Sequence, residues 1–322
     1  MKTQLRSAAV ICIITFAACK KDHVNSTIPP LSQETNNYSS VGDFFAQNAV
    51  PMQTFTIHGS TGGSFTTPQG TTVSIPANAF VNHNNVTVSG NVTIQFKDIY
   101  KKSDMLMSDR PTITINWEPL RSAGEFYIKA ISGNEAVNIA AGKKISVSQP
   151  IQLTGGLDSA MIPFIVLPDS LVNQGGNLGG WSDAPYDTLL YSASNYIFGL
   201  YYFSSPVDSG TWGNSDNPSF FSSFSQTHLI LHPYDDPANF QTDVFLVFKN
   251  VNSMVHVYRS GPDFSYWYAP QGLQCTLVAI GVKGGKLYSS FVPVTIAANQ
   301  TVNFSLTETT TNDFKTQLKT LD

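Results

Sequence analysis

The fold class is decided by the stretch Asn91-Val92-Thr93-Ile94-Gln95-Phe96-Lys97-Asp98-Ile99, because its apolar and polar residues alternate one by one. Successive side chains of a β-strand point to opposite faces, so a period of two places one row against a core and the other toward solvent. The pattern therefore predicts a half-buried strand in an all-β protein. The apolar row is Val92, Ile94 and Phe96, and the polar row is Thr93, Gln95 and Lys97.

Short β-type runs continue on both sides of this strand and are separated by turn residues. Pro68-Gln69-Gly70 is one such turn, since proline presets φ and glycine accepts a positive φ. About eight short strands at this spacing predict a β-sandwich over 50–155. The other runs are Gln53–His58, Ser64–Thr67, Thr71–Ile75, Thr112–Trp117, Glu125–Ile131 and Lys144–Ile151.

The last third of the chain predicts a second sandwich over 226–310, of immunoglobulin-like or prealbumin-like type, with seven strands. Gly284-Gly285 between two apolar runs indicates a two-residue hairpin. Apolar residues at helical spacing predict a short helix over 311–322. The seven strands are Thr227–His232, Asp243–Asn250, Ser253–Tyr258, Phe264–Tyr268, Gln274–Val282, Lys286–Pro293 and Thr301–Leu306.

Between the two predicted sandwiches, the segment 156–225 is rich in glycine and aromatic residues and lacks a regular period. It is interpreted as a connector that completes one or both sandwiches.

The N-terminal segment predicts export and lipid attachment. A short basic head precedes an apolar run over 8–18, which has the length of a signal-peptide core and falls short of the roughly 20 residues that span a membrane. Ala17 and Ala18 then precede Cys19. This arrangement resembles the lipobox of bacterial lipoproteins, in which the cysteine thiol receives diacylglycerol. It implies a signal peptide over 1–18 and lipidation at Cys19, with an ordinary secretory signal as the alternative.

The residues after Cys19 bear on location. Lys20-Lys21-Asp22 resembles the charged tag of Bacteroidota lipoproteins that are exported to the cell surface. The resemblance implies an outer membrane lipoprotein exposed at the cell surface, with attachment facing the periplasm as the alternative. The polar composition of 19–49 predicts a flexible tether between the membrane and the first domain.

One run of nineteen residues resembles the opening of the ZU-five-type β-sandwich. It reads Gly62-Gly63-Ser64-Phe65-Thr66-Thr67-Pro68-Gln69-Gly70-Thr71-Thr72-Val73-Ser74-Ile75-Pro76-Ala77-Asn78-Ala79-Phe80. That domain occurs in ankyrins, zonula occludens proteins and netrin receptors, and it has relatives in largely uncharacterised bacterial surface lipoproteins. Three further stretches, 102–106, 124–130 and 212–216, are similar to those bacterial relatives. The resemblance implies a fold and a location and carries no catalytic residue.

Composition narrows the classes of partner. Only 12% of the residues are charged and the formal net charge is −4. Without a basic cluster, the chain is not expected to bind nucleic acid. Cys12 lies in the predicted signal and Cys19 carries the predicted lipid, so Cys275 remains alone and a disulfide within the mature chain is excluded.

The sequence contains two partial matches to enzymatic or metal-binding motifs, and each departs from its motif at a residue that the chemistry needs. His228 and His232 have the spacing of zinc proteases, but the intervening residues are strand-like, and the two rings would lie about 13 Å apart. The segment 281–287 resembles a phosphate loop yet is one residue short and lacks the Ser or Thr that binds magnesium. We therefore expect neither an enzyme nor a metal or organic cofactor.

Scattered carboxylates were interpreted as exposed or turn-forming residues. One set, which with Asn214 has the chemistry of a calcium site, lacks the alternating spacing of a calcium loop. A second set was considered as a general acid and base pair. The first set is Asp208, Asp216, Asp235 and Asp236, and the second is Asp104, Asp109 and Glu118.

Aromatic side chains are the candidate binding residues. If exposed, they form a sugar-stacking platform or a partner-binding patch, and if buried they belong to the core. We predict a lipid-anchored envelope protein that acts as a non-enzymatic binding or structural module for a glycan or another envelope protein. A glycan-binding surface protein and a hydrolase with dispersed residues are the alternatives. The candidate residues are Trp181, Trp212, Tyr266, Trp267 and Tyr268.

Overall fold

Alternation of buried and exposed side chains produces two groups of β-sheets in succession along the chain. In this computed structural model, residues 37–167, 179–203, 210–234 and 241–322 are described. The residues from Asn36 to Asp322 form one compact unit. The all-β prediction is confirmed.

The first group uses strands between residues 53 and 217. These are β1 (Gln53–His58), β2 (Gly63–Thr66), β3 (Thr72–Ile75), β4 (Phe80–Val81), β5 (Asn91–Ile99), β6 (Arg121–Ser132), β7 (Glu135–Ala136), β8 (Asn138–Ile139), β9 (Ile145–Pro150), β10 (Ile162–Val166), β11 (Trp181–Asp183), β12 (Thr188–Tyr191), β13 (Asn195–Leu200) and β14 (Thr211–Asn217).

These strands build a sandwich of two main sheets. One has the order β1-β5-β6-β14-β10-β11, with β7 on β6, and the other has the order β12-β13-β9-β3-β2. Apolar residues of both sheets, such as Phe96, Phe126, Val147 and Phe198, meet in one core. The segment that was interpreted as a connector supplies β10 to β14, so it completes both sheets of this sandwich.

The second group is a single sheet that curls around its own core. Its strands are β15 (Gln226–Pro233), β16 (Gln241–Phe248), β17 (Met254–Ser260), β18 (Asp263–Pro270), β19 (Gln274–Lys283), β20 (Lys286–Thr295), β21 (Gln300–Phe304) and β22 (Thr307–Thr309). The order is β21-β15-β18-β17-β16-β19-β20-β22. Strand β21 pairs with β15 in parallel, and the other neighbours pair antiparallel. The inward residues, including Leu229, Val257 and Leu277, are fully buried.

Three helices cover part of the outer face of this curled sheet: α1 (Val41–Asn48), α2 (Lys102–Met107) and α3 (Thr311–Lys319). Phe44 of α1 meets Phe314 of α3 at a ring-centroid distance of 5.6 Å, and Phe45 meets Phe245 of β16 at 6.1 Å. We call α1, α2 and α3 the helical layer. It buries the outer side chains of β16, β19 and β20 and leaves those of β15 and β18 uncovered.

Two predictions about local structure are wrong. Residues 37–49 were included in the flexible tether, but Ser40 caps α1 by accepting from the backbone N–H of Asp43, and the apolar side of the helix is buried on the second sheet. The predicted strand Thr112–Trp117 forms isolated bridges instead, and Trp117 has a φ of 71° that ends extended structure. The predicted helix at the C-terminus is present as α3.

Backbone and side-chain hydrogen bonds join the two groups of sheets. The N–H of Thr112 donates to the carbonyl of Met254 at 2.8 Å, and the N–H of Ser122 donates to the carbonyl of Asn252 at 2.8 Å. The Asn252 side-chain amide donates in return to the carbonyls of Tyr100 and Ser122.

Candidate functional site

The uncovered outer face of β15 and β18 presents one large aromatic ring to solvent. Trp267 is 66% exposed, whereas its neighbour Tyr266 is 3% exposed, as strand alternation predicts. The ring of His228 on β15 stacks on the Trp267 indole with centroids 3.6 Å apart and planes 3° from parallel. Because one indole face is covered and most of the residue is still exposed, the opposite face is open to solvent.

A bulge brings these two rings together. The register shifts between Thr227 and Leu229, so that Trp267 and Tyr268 of β18 both lie opposite His228. An extra residue in one strand redirects the side chains around it, which is why bulges occur at functional surfaces. The indole thereby lies flat against the imidazole.

Polar side chains surround the stacked rings. His228 Nε2 lies 2.6 Å from Ser265 Oγ, and His232 Nδ1 lies 2.6 Å from Asp263 Oδ1. The two histidines thus face the same side of β15 but bond to different residues of β18. We call Trp267, His228, Ser265, His232 and Asp263 the Trp267 platform.

The platform combines a flat aromatic face with hydrogen-bonding groups. An open indole face provides a flat apolar area for the C–H face of a pyranose, and nearby hydroxyl, carboxylate and imidazole groups provide hydrogen bonds. Its indole is already fixed by His228, so less side-chain freedom is lost when a ligand binds.

The other candidate aromatic residues are not part of this surface. Trp181 is completely buried, and its Nε1 donates to the carbonyl of Pro111 at 3.0 Å. The buried Tyr266 hydroxyl donates to the carbonyl of Trp117. Tyr268 is half-buried on the inner side of the sheet. These three residues therefore belong to the core rather than to a ligand site.

Trp212 lies at the junction of the two groups of sheets. It is half-buried, and the Arg110 guanidinium lies 4.5 Å from its ring centroid. Its partner Tyr127 packs on it with a centroid distance of 5.3 Å. An indole that is already covered by a cation and a second ring is not available to stack on a sugar.

A buried carboxyl pair, Glu125 and Asp216, lies near Arg110 at the same junction. Both carboxyls are 0% exposed, and neither oxygen of Glu125 has a hydrogen-bond partner. Burial raises the pKa of Glu125 well above its ordinary value, the Asp216 charge raises it further, and Arg110 opposes both. Burial likewise raises the pKa of Asp216. The pair is sealed from solvent, so it is not placed to act on an external substrate.

The carboxylates of the candidate acid and base pair, Asp104, Asp109 and Glu118, have different surroundings. Burial raises the pKa of Asp104, which lies near Asp322, and of Asp109, which lies near His256, while Glu118 is exposed. The amide nitrogen of Asn214 donates to Asp216 Oδ2 at 2.7 Å. In the described ranges, no group of three or more His, Cys, Asp or Glu side chains is arranged to hold a metal ion. Asp208, Asp235, Asp236 and Cys19 lie outside the described residues.

Neither the protein-family models nor the curated proteins yielded a match for this chain. None of the helices in the described part of the chain is both long and apolar enough to cross a membrane.

Proposed function

We propose that this protein is a lipid-anchored protein of the outer membrane, exposed at the cell surface, that acts as a non-enzymatic binding module. The basic head, the apolar run over 8–18 and the small residues before Cys19 support the anchor. More than one acyl chain on that cysteine gives stable attachment, since a single chain holds a protein only marginally.

We infer that the ligand of the module is a glycan and that it binds at the Trp267 platform. The observation that carries this inference is the indole that remains 66% exposed although His228 covers one of its faces. A tryptophan offers a large flat apolar face and is enriched at interfaces, and here hydroxyl, carboxylate and imidazole groups lie beside it.

The anchor is tested by metabolic labelling with a radioactive fatty acid. Cys19→Ala is expected to abolish labelling, because the acylated thiol is removed. Cys12→Ala, which changes a cysteine within the predicted signal, is the matched control and should label like the wild type. Labelling that persists in Cys19→Ala would refute the anchor.

The glycan inference is tested on an array of neutral and acidic saccharides, with the full chain carrying Cys19→Ala. Trp267→Ala should weaken binding several-fold, since aromatic stacking contributes about 0.5–1.5 kcal/mol beyond the area it buries. Tyr191→Ala removes a ring that is 55% exposed on β12 and should leave binding unchanged. An array without bound glycans, or equal binding by Trp267→Ala and wild type, contradicts the inference.

A further inference from the structure

A cleft separate from the Trp267 platform lies between the first sandwich and the curled sheet. It has a volume of about 790 Å³, which lies within the range of about 300–1,000 Å³ for small-molecule sites. Tyr100 and the loop 153–155 form one side, and the ends of β16, β19 and β20 form the other. Junctions between two folded bodies are a frequent position for ligand sites.

The charged residues of the cleft are mainly cationic. Lys101, Lys102 and Lys249 line it together with one acidic residue, Asp322. The side-chain carboxylate of Asp322 is held by Ser103, whose backbone N–H and hydroxyl donate to it at 2.9 and 2.8 Å. Three lysines along one cleft contrast with the formal net charge of −4 of the whole chain.

Lys102 is the buried lysine of the wall. Its side chain is buried, and Nζ donates to the carbonyl of Phe248, another cleft residue, at 2.8 Å. An ammonium carries three N–H donors, and among the described residues this carbonyl is the acceptor that it has found. No carboxylate in the described ranges is in ion-pair contact with it.

A buried ammonium is stable when its charge and its donors are compensated. Burial lowers the pKa of Lys102, which reflects the incomplete compensation, and the more distant Asp322 acts in the opposite direction. An anionic oxygen in the cleft would supply both a countercharge and acceptors for the two remaining donors.

The rest of the wall mixes apolar residues with uncharged polar ones such as Asn252 and Gln274. Its aliphatic side chains include those of Leu153, Val251, Val294 and Leu321. We propose that the cleft binds a small molecule that has an apolar body and one oxyanion, with the oxyanion accepting from Lys102 Nζ and the body lying against the aliphatic side chains. This inference does not depend on the glycan function, because it uses other residues on another surface.

The experiment is isothermal titration calorimetry with 1-naphthalenesulfonate and, as its neutral counterpart, 1-naphthalenemethanol. The protein is the full chain carrying Cys19→Ala. The sulfonate is expected to bind at least about tenfold more tightly than the alcohol, since a hydrogen bond to a charged group is worth about 1.5–3 kcal/mol. Lys102→Met keeps the aliphatic stem and should remove most of this preference.

Two further variants separate the charge of the cleft from effects on folding. Lys249→Met changes an exposed lysine of the cleft and should weaken sulfonate binding by a smaller factor than Lys102→Met does. This variant tests the charge of the cleft even if Lys102→Met does not fold. Lys143→Met lies outside the cleft and should bind like the wild type. Trp267→Ala should also leave sulfonate binding unchanged, and a loss there would place the sulfonate on the platform.

Besides a loss of sulfonate binding in Trp267→Ala, three outcomes would overturn the proposal. They are undetectable binding of the sulfonate, equal affinity for the sulfonate and the alcohol, and unchanged sulfonate affinity in both Lys102→Met and Lys249→Met. A loss of glycan binding without a loss of sulfonate binding in Trp267→Ala would show that the two sites are independent.

Discussion

Replacing Glu125 by glutamine should stabilise the protein at neutral pH and not at acid pH. The Glu125 carboxyl is fully buried, and neither of its oxygens has a hydrogen-bond partner. Burial, followed by the nearby Asp216 charge, raises its pKa well above the ordinary value of 4.5. Glutamine has nearly the same shape and remains neutral at every pH.

The sign follows from proton linkage. A carboxyl whose pKa is raised on folding binds more protons in the folded than in the unfolded chain, so the free energy of unfolding falls as the pH rises. The free energy of unfolding begins to fall near the pKa that Glu125 has in the unfolded chain. It stops falling when the pH passes the pKa that Glu125 has in the folded chain. Within that window the wild type loses about 1.4 kcal/mol per pH unit through this group.

The assay is urea unfolding of wild type and Glu125→Gln at intervals from pH 4 to pH 8. The difference in free energy of unfolding should grow in favour of the variant as the pH rises from the unfolded-state pKa of Glu125 toward its folded-state pKa. Glu118→Gln replaces an exposed carboxylate and should change stability by less than about 0.5 kcal/mol. A difference for Glu125→Gln that does not depend on pH would refute the reasoning.

Two other perturbations test the packing. Phe314→Ala empties a fully buried position in the helical layer and should lower the free energy of unfolding by about 3–5 kcal/mol in urea, whereas the neighbouring Lys315→Ala should have little effect. Gly124→Ala places a Cβ 2.5 Å from the Tyr100 ring at a φ of +118° and should lower the melting temperature by several degrees. Gly133→Ala has a positive φ but open space around it, so a smaller decrease there separates strain from the clash.

Local alternation predicted the strands whose two faces have different surroundings. The predicted runs 53–58 and 91–99 coincide with β1 and β5, because one face of each strand meets the sandwich core. The predicted strand Thr112–Trp117 fails because Thr112 and Thr114 satisfy their backbone groups in other ways. The N–H of Thr112 bonds to Met254 in the other group of sheets, and the N–H of Thr114 bonds to Glu118 in a turn.

Helix α1 was missed because most of its stability comes from distant partners. Ser40 and Asp43 form a capping pair that is visible in the sequence, but a helix of this length is marginal in isolation. The aromatic side chains that fix it on the sheet belong to β16 and α3. No local pattern indicates that pairing.

The site was predictable in part. Alternation places Trp267 opposite Tyr266, and this separates the exposed ring from the buried one. The stacking of His228 depends on a cross-strand register and a bulge, which the residues of either strand alone do not determine. The Glu125 and Asp216 pair was missed for a related reason, since a polar residue on the outer face of a sheet is expected to meet solvent unless another layer covers it.

The attachment of α1 also determines how tension enters the molecule. The backbone N–H of Tyr38 donates to the carbonyl of Gly285, and its hydroxyl lies 2.7 Å from that of Thr311. A force applied to the chain ahead of residue 37 therefore reaches the β19–β20 hairpin and α3 before it reaches β1, although β1 follows α1 directly in sequence. In a protein held by its N-terminus, the curled sheet would therefore bear the load first. The first sandwich would not be extended until α1 detaches.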